Sequence, residues 1–135
     1  MSDSIVMPGV KVDCEMLHPI LVVPDVHAAV IFYTERLGFW LAFEEGDPPG
    51  FAGVNLGRVQ LFFERGEPCP ASCGVYFVVN NVEELYRFHE STGARVLDPL
   101  ASRSYHLRDY TVADANGYRL TFGQRVGKSF SVNEG

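Results

Sequence analysis

At 135 residues, 47% hydrophobic and 21% charged, the chain can bury a sizeable core and is too apolar for intrinsic disorder. Seventeen acids against 11 bases leave a net charge of −6, which argues against the basic stripe that nucleic-acid binding needs. The apolar runs are strand-length, and the opening MSDSIVMPGVKVDCEML lacks a basic start followed by an apolar stretch, so neither a membrane nor a secretion signal is expected.

Residues 1–15 form a non-periodic leader. MLHPILVV then reads as a strand of aliphatic and β-branched residues stopped by Pro24. From Asp25 the period changes: Val26, Ala29, Val30, Tyr33 and Leu37 recur at helical spacing, with Asp25 placed to cap and Gly38 to stop the helix. FWLAFEEG, FAGVNLG and RVQLFFERG follow as strands separated by Gly and Pro, and the EEGDPPGFAG stretch reads as an acidic loop at the mouth of a pocket.

Residues 66–72, GEPCPAS, are a linker. Cys69 and Cys73 flank its end, but no second pair of ligands follows at zinc spacing, so both read as free thiols. Three cysteines in all, with Cys14, suit a reducing cytoplasm better than a disulfide framework.

Beyond the linker the grammar repeats. CGVYFVVN is a strand, Asn81 to Glu84 resembles a capping box, and Val82, Leu85, Tyr86 and His89 share one helical face that ends at Gly93. ARVLD, SYHLRDYTVAD and YRLTFGQ supply three more strands. Val22 to Val26 lies over Val78 to Val82, and Asn55 to Phe62 lies over Asn116 to Gly123. The chain is therefore a tandem repeat of two βαβββ units, residues 16–65 and 73–125, with a tail at 126–135.

Strand alternation divides each closing strand between two faces. Val59, Leu61, Phe63, Leu120 and Phe122 suit the side under the helices, while Arg58, Gln60, Phe62, Glu64, Arg119 and Thr121 would line the opposite trough. The fold class is α+β: two βαβββ modules forming a curved mixed sheet around a cavity, with helices on the outer face. Of the remaining histidines, His27 reads as exposed in the first helical turn and His89 as a packing residue. Neither a nucleophile elbow nor a dinucleotide or phosphate loop is present.

His18-Pro-Ile-Leu-Val-Val-Pro-Asp25, the Phe32-Tyr33-x-x-x-Leu37-Gly38-Phe39 signature and Asp114-Ala-Asn-Gly117 before the last strand resemble the vicinal oxygen chelate superfamily. This is the glyoxalase/bleomycin resistance/extradiol dioxygenase group, and the resemblance spans roughly residues 16–125. It implies paired βαβββ modules. In the superfamily's metal-dependent enzymes it also implies ligands at the head of each module's first strand and on its closing strand. Those positions here hold His18, Gln60, Gly74 and Thr121. One imidazole and a neutral amide fall short of the three or so protein ligands of a catalytic divalent site. Glu64 lies too far along its strand from Gln60 to substitute, while His106 is expected on a strand that reaches the trough.

The resemblance also implies a different use of the fold, that of the bleomycin resistance proteins, dimers that sequester a drug without chemistry. With 13% aromatic residues the chain has the material for such a groove. The ligand-binding residues expected are His18, Trp40, Phe51, Arg58, Gln60, Phe62, Tyr76, Tyr105, His106 and Thr121, and no catalytic residue is assigned. The expected function is metal-free binding of an aromatic or cationic small molecule by a cytoplasmic homodimer, with no cofactor. The alternative is a metal-dependent lyase, isomerase or dioxygenase holding one divalent ion through His18, Gln60 and a non-standard remainder.

Overall fold

The computed structural model describes residues 9–126; the first eight residues of the leader and the tail beyond 126 lie outside the described residues. The first module runs β1 (Ile20–Val23), α1 (Val26–Glu35), β2 (Trp40–Gly46), β3 (Pro49–Leu56) and β4 (Val59–Arg65). A short 3-10 turn, Pro70–Ser72, leads to the second: β5 (Gly74–Val78), α2 (Val82–Ser91), β6 (Arg95–Ser102), β7 (Leu107–Ala113) and β8 (Arg119–Arg125). Each module forms its own four-stranded mixed sheet, ordered β1-β4-β3-β2 and β5-β8-β7-β6, in which only the first and last strands run parallel.

Local chemistry sets the helix boundaries. Asp25 accepts from the Ala28 amide at 3.0 Å and Asn81 from the Glu84 amide at 3.2 Å, each satisfying an orphan N–H of the first turn. The Asn81 side-chain amide also donates to Glu84 Oε1 at 3.1 Å, tying the two side chains across the first turn. Gly38 and Gly93 follow the helices at φ +85° and +78°, where a Cβ would be strained.

The helices cover one face of each sheet. Leu21, Val23, Val54, Leu61 and Phe63 of the first sheet and Val112, Leu120 and Phe122 of the second are fully buried there. Each such side chain contributes about 2 kcal/mol by leaving water. Val59, which shares their parity at the start of β4, is 47% exposed because it lines an open cavity at the module junction.

The modules are joined on this same helix side. Tyr33 Oη donates to Asp114 Oδ2 at 2.7 Å, Tyr118 Oη donates to the Val22 carbonyl at 2.7 Å, and Phe39 meets Phe77 edge-on at 5.8 Å. His89, fully buried, donates from Nε2 to the Leu37 carbonyl at 2.8 Å, while its Nδ1 accepts from Tyr110 Oη at 2.8 Å. The packing role read for His89 is thus a bond between modules.

Two stretches differ from their sequence reading. EEGDPPGFAG is a continuation of β2 and β3 with Asp47 and Pro48 at the tip, so it is a strand hairpin in place of a loop. Glu44 in it faces α1 and pairs with exposed His27 at 2.7 Å. His106 is not on a strand: it adopts φ +68° in the turn before β7, a conformation incompatible with extended pairing.

Candidate functional site

The sheet faces turned away from the helices carry most of the residues expected to line a trough. On the first sheet, β1 pairs in parallel with β4 so that Ile20 stands beside Phe62, and the Phe62 amide bonds to the Pro19 carbonyl at 3.0 Å. This register brings His18 to the head of the sheet. Its Nδ1 lies 3.1 Å from the Gln60 carbonyl and must therefore be the protonated nitrogen, while its ring lies 4.7 Å from that of Phe62. Phe62 in turn meets Phe51 at 5.2 Å and Phe43 at 5.8 Å, and Phe43 meets Phe51 at 5.8 Å. Gln60 donates to Asn55 Oδ1 at 2.8 Å, and Trp40, 54% exposed, stands across from Asn55 in register. The result is an aromatic floor with two amides at one end.

The second sheet presents a different face. Tyr76 on β5 and Tyr105 in the β6–β7 turn both donate to Asp109 Oδ2 on β7, each at 2.7 Å. Arg103 donates from Nε to Asp109 Oδ1 at 2.8 Å. Thr121 Oγ1 and Thr111 Oγ1 share a hydrogen bond of 2.8 Å on the same face. Burial works against ionisation of Asp109, but hydrogen bonds from Tyr76, Tyr105 and Arg103 outweigh it and hold the carboxyl below its ordinary pKa. Burial and the bond to Asp109 push the Tyr76 phenol well up, and the same acceptor raises that of Tyr105.

A glycine makes each arrangement possible. Phe43 lies across Gly53, where a Cβ would come within 2.5 Å of its ring, to reach Phe62 on the next strand. Tyr76 crosses Gly123 in the same way to reach Asp109, and a Cβ there would collide with its hydroxyl.

Of the expected residues, Arg58 stands apart from both groups, and His106 bonds through its amide to the Arg103 carbonyl at 3.2 Å. Arg58 occupies the β3–β4 turn and lines a cavity of about 770 Å³ at the module junction, with Leu56, Val78, Leu85 and Phe88. His106 lies in its left-handed turn. Phe43, Asn55, Arg103 and Asp109 were not anticipated. Asp109 and Thr111 alternate with buried Tyr110 and Val112, so the period-2 pattern marked their face, though not their partners.

The ligand positions of a metal-dependent enzyme hold one imidazole, at His18, and no carboxylate or thiolate, short of the donor set of a catalytic divalent ion. His18 bonds through Nδ1–H to a carbonyl, which leaves Nε2, 3.3 Å from Met16 Sδ, as the one imidazole donor, while Gln60 is engaged with Asn55 and Thr121 with Thr111. The parallel register sets Tyr76 beside Thr121, and Gly74 one pleat away beside Arg119. Among the described residues no group of three or more His, Cys, Asp or Glu side chains is placed to hold a metal ion.

Solved structures of this architecture include TioX from Micromonospora sp. ML1, 24% identical over 84% of this chain and 100% of its own, with a TM-score of 0.73. The bleomycin-binding protein of Streptomyces verticillus, complexed with copper(II)-bleomycin, is 23% identical over 87% of this chain and 99% of its own (TM-score 0.69). The bleomycin resistance determinant encoded on transposon Tn5 is 21% identical over 83% and 98% (TM-score 0.71). At these identities the likeness is one of fold. No curated protein sequence matches. The family model, however, matches residues 15–122, most of the chain and both modules, and with the paired βαβββ architecture it places the protein in the Glyoxalase/Bleomycin resistance protein/Dioxygenase superfamily.

Proposed function

We propose that the protein binds and sequesters an aromatic or cationic small molecule without a metal, as a homodimer in the cytoplasm. The observation that carries this reading is the aromatic floor of Phe43, Phe51 and Phe62 beneath His18. It occupies the sheet face on which metal-dependent relatives would need carboxylates. Flat ligands stack on such a surface, and a cation gains further from the ring faces. Dimerisation is supported by the exposure on these faces of Ile20, Trp40, Tyr76, Val78 and Tyr105, each 44–54% accessible in the single chain. Apolar and aromatic groups so placed gain by being covered, and a partner chain's face would complete a groove from opposite sheets. The free thiols of Cys14 and Cys73 suit a reducing compartment.

The test has two arms. In a thermal-shift screen against aromatic and cationic antibiotics, a ligand at 100 times its Kd should add about 2.7 kcal/mol of stability. Elemental analysis of protein purified without chelator should find Ni, Zn, Fe and Mn well below stoichiometry. Stoichiometric metal that disappears on His18→Ala would overturn the reading in favour of a metal-dependent enzyme.

A further inference from the structure

Resting on the binding function proposed above, the chemistry of the second sheet defines which ligand group the trough takes. Asp109 is only 3% exposed, and both its oxygens are engaged: Oδ2 by Tyr76 and Tyr105 at 2.7 Å each, Oδ1 by Arg103 at 2.8 Å. A ligand therefore meets this acid through the two phenols. Each phenol has one hydrogen, and both hydrogens point at Asp109. The two residues are 44% and 49% exposed, and what their hydroxyls can offer a ligand is an oxygen that only accepts, together with a ring face.

The charge of the cluster has the matching sign. Hydrogen bonding to a carboxylate polarises each O–H and leaves its oxygen more negative. Arg103 stands 2.8 Å from Asp109 and 3.5 Å from Asp98, so one cation is set against two acids. Its Nη2 group donates to the Pro99 carbonyl at 2.9 Å and to the Asp109 carbonyl at 3.1 Å. Arg103 is thus a brace for Asp109, bonded to both its carboxylate and its backbone carbonyl.

We propose that Tyr76 and Tyr105 form an acceptor-only seat for a protonated amine carried by an aromatic ligand, with Asp109 as the buried counter-charge and Arg103 as a positioning residue. An anionic or acceptor-only group at this seat would meet lone pairs with no hydrogen to share. A quaternary ammonium would keep the attraction to the rings but lose the N–H bonds.

Three probes of one skeleton separate these terms: 2-phenylethylammonium, its N,N,N-trimethyl analogue and 3-phenylpropanoate, each titrated into the full chain by NMR. The primary ammonium should bind about tenfold more tightly than the trimethyl analogue, and the carboxylate most weakly. Tyr76→Phe and Tyr105→Phe, which keep the ring, should each remove most of that tenfold preference, with unchanged far-UV circular dichroism as the folding control. Equal or tighter binding of the trimethyl analogue or the carboxylate, or a preference that survives both variants, would overturn the seat and leave the aromatic floor's binding role standing. If no probe binds and the antibiotic screen is also silent, both the seat and the proposed function fail.

Discussion

His89 shows how one side chain can tie the repeat together. It replaces an apolar residue on α2, is fully buried, and spends both ring nitrogens on Leu37 and Tyr110, one in each module. Burial depresses its pKa, only partly offset by the bond to the Leu37 carbonyl, so the folded protein holds it neutral. Below the unfolded value near 6.5 the unfolded chain takes up a proton that the folded state resists. The stability His89 contributes is therefore full above that value and declines as pH falls toward the depressed folded pKa. His89→Ala should cost about 3 kcal/mol at pH 7.5, from the cavity and two unsatisfied partners. The difference between wild type and variant should narrow at pH 5.5. Urea denaturation at the two pH values reads both effects, and a gap that is constant with pH would show that His89 titrates normally.

At the level of the strands, the βαβββ repeat, the helix caps and the helix-facing residues were legible because each is written in a local period or a single capping residue. The trough was legible only in part. Phe51, Phe62 and Tyr76 follow from alternation, but Phe43 does not: a bulge between Leu41 and Phe43 shifts the register of β2 and turns Phe43 onto the face its parity denies it. The convergence of Tyr76 on β5 with Tyr105 and Arg103 of the β6–β7 turn on Asp109 is a tertiary arrangement that no periodicity records. His106 was misplaced because its β-rich neighbours concealed a left-handed turn. The crossing of Phe43 over Gly53 is testable as a pair. Gly53→Ala should destabilise the protein by about 1–3 kcal/mol by forcing the ring off its seat. In Phe43→Ala protein the same change should cost far less, and the double-mutant cycle should report a coupling of about 1 kcal/mol or more. Additive costs would mean that Gly53 is required for some reason other than the ring above it.

For the whole molecule, the arrangement of the modules bears on how a groove is completed. The bonds through Tyr33, His89 and Tyr118 join the modules on the side of the helices, away from the aromatic floor and the tyrosine seat. On the proposed reading, a groove that uses both faces is completed by a second chain, the first sheet of one protomer meeting the second sheet of the other. Ile20 beside Phe62 and Val78 beside Gly123 lie on these faces without belonging to the tyrosine seat, and each is 48% exposed. Ile20→Glu and Val78→Glu should each place an unpaired charge in the dimer interface at a cost of about 3 kcal/mol, roughly a hundredfold in the dimer dissociation constant. Ile31→Glu, on the outer side of α1 at 40% exposure, should leave association unchanged. Sedimentation velocity of the full chain and the three variants measures this directly. Ligand affinity should fall together with dimerisation in the first two variants and in neither respect in the third. A monomeric wild-type chain that still binds ligand would show that one sheet face suffices, and would restrict the site to whichever face loses affinity when its own aromatic residues are replaced.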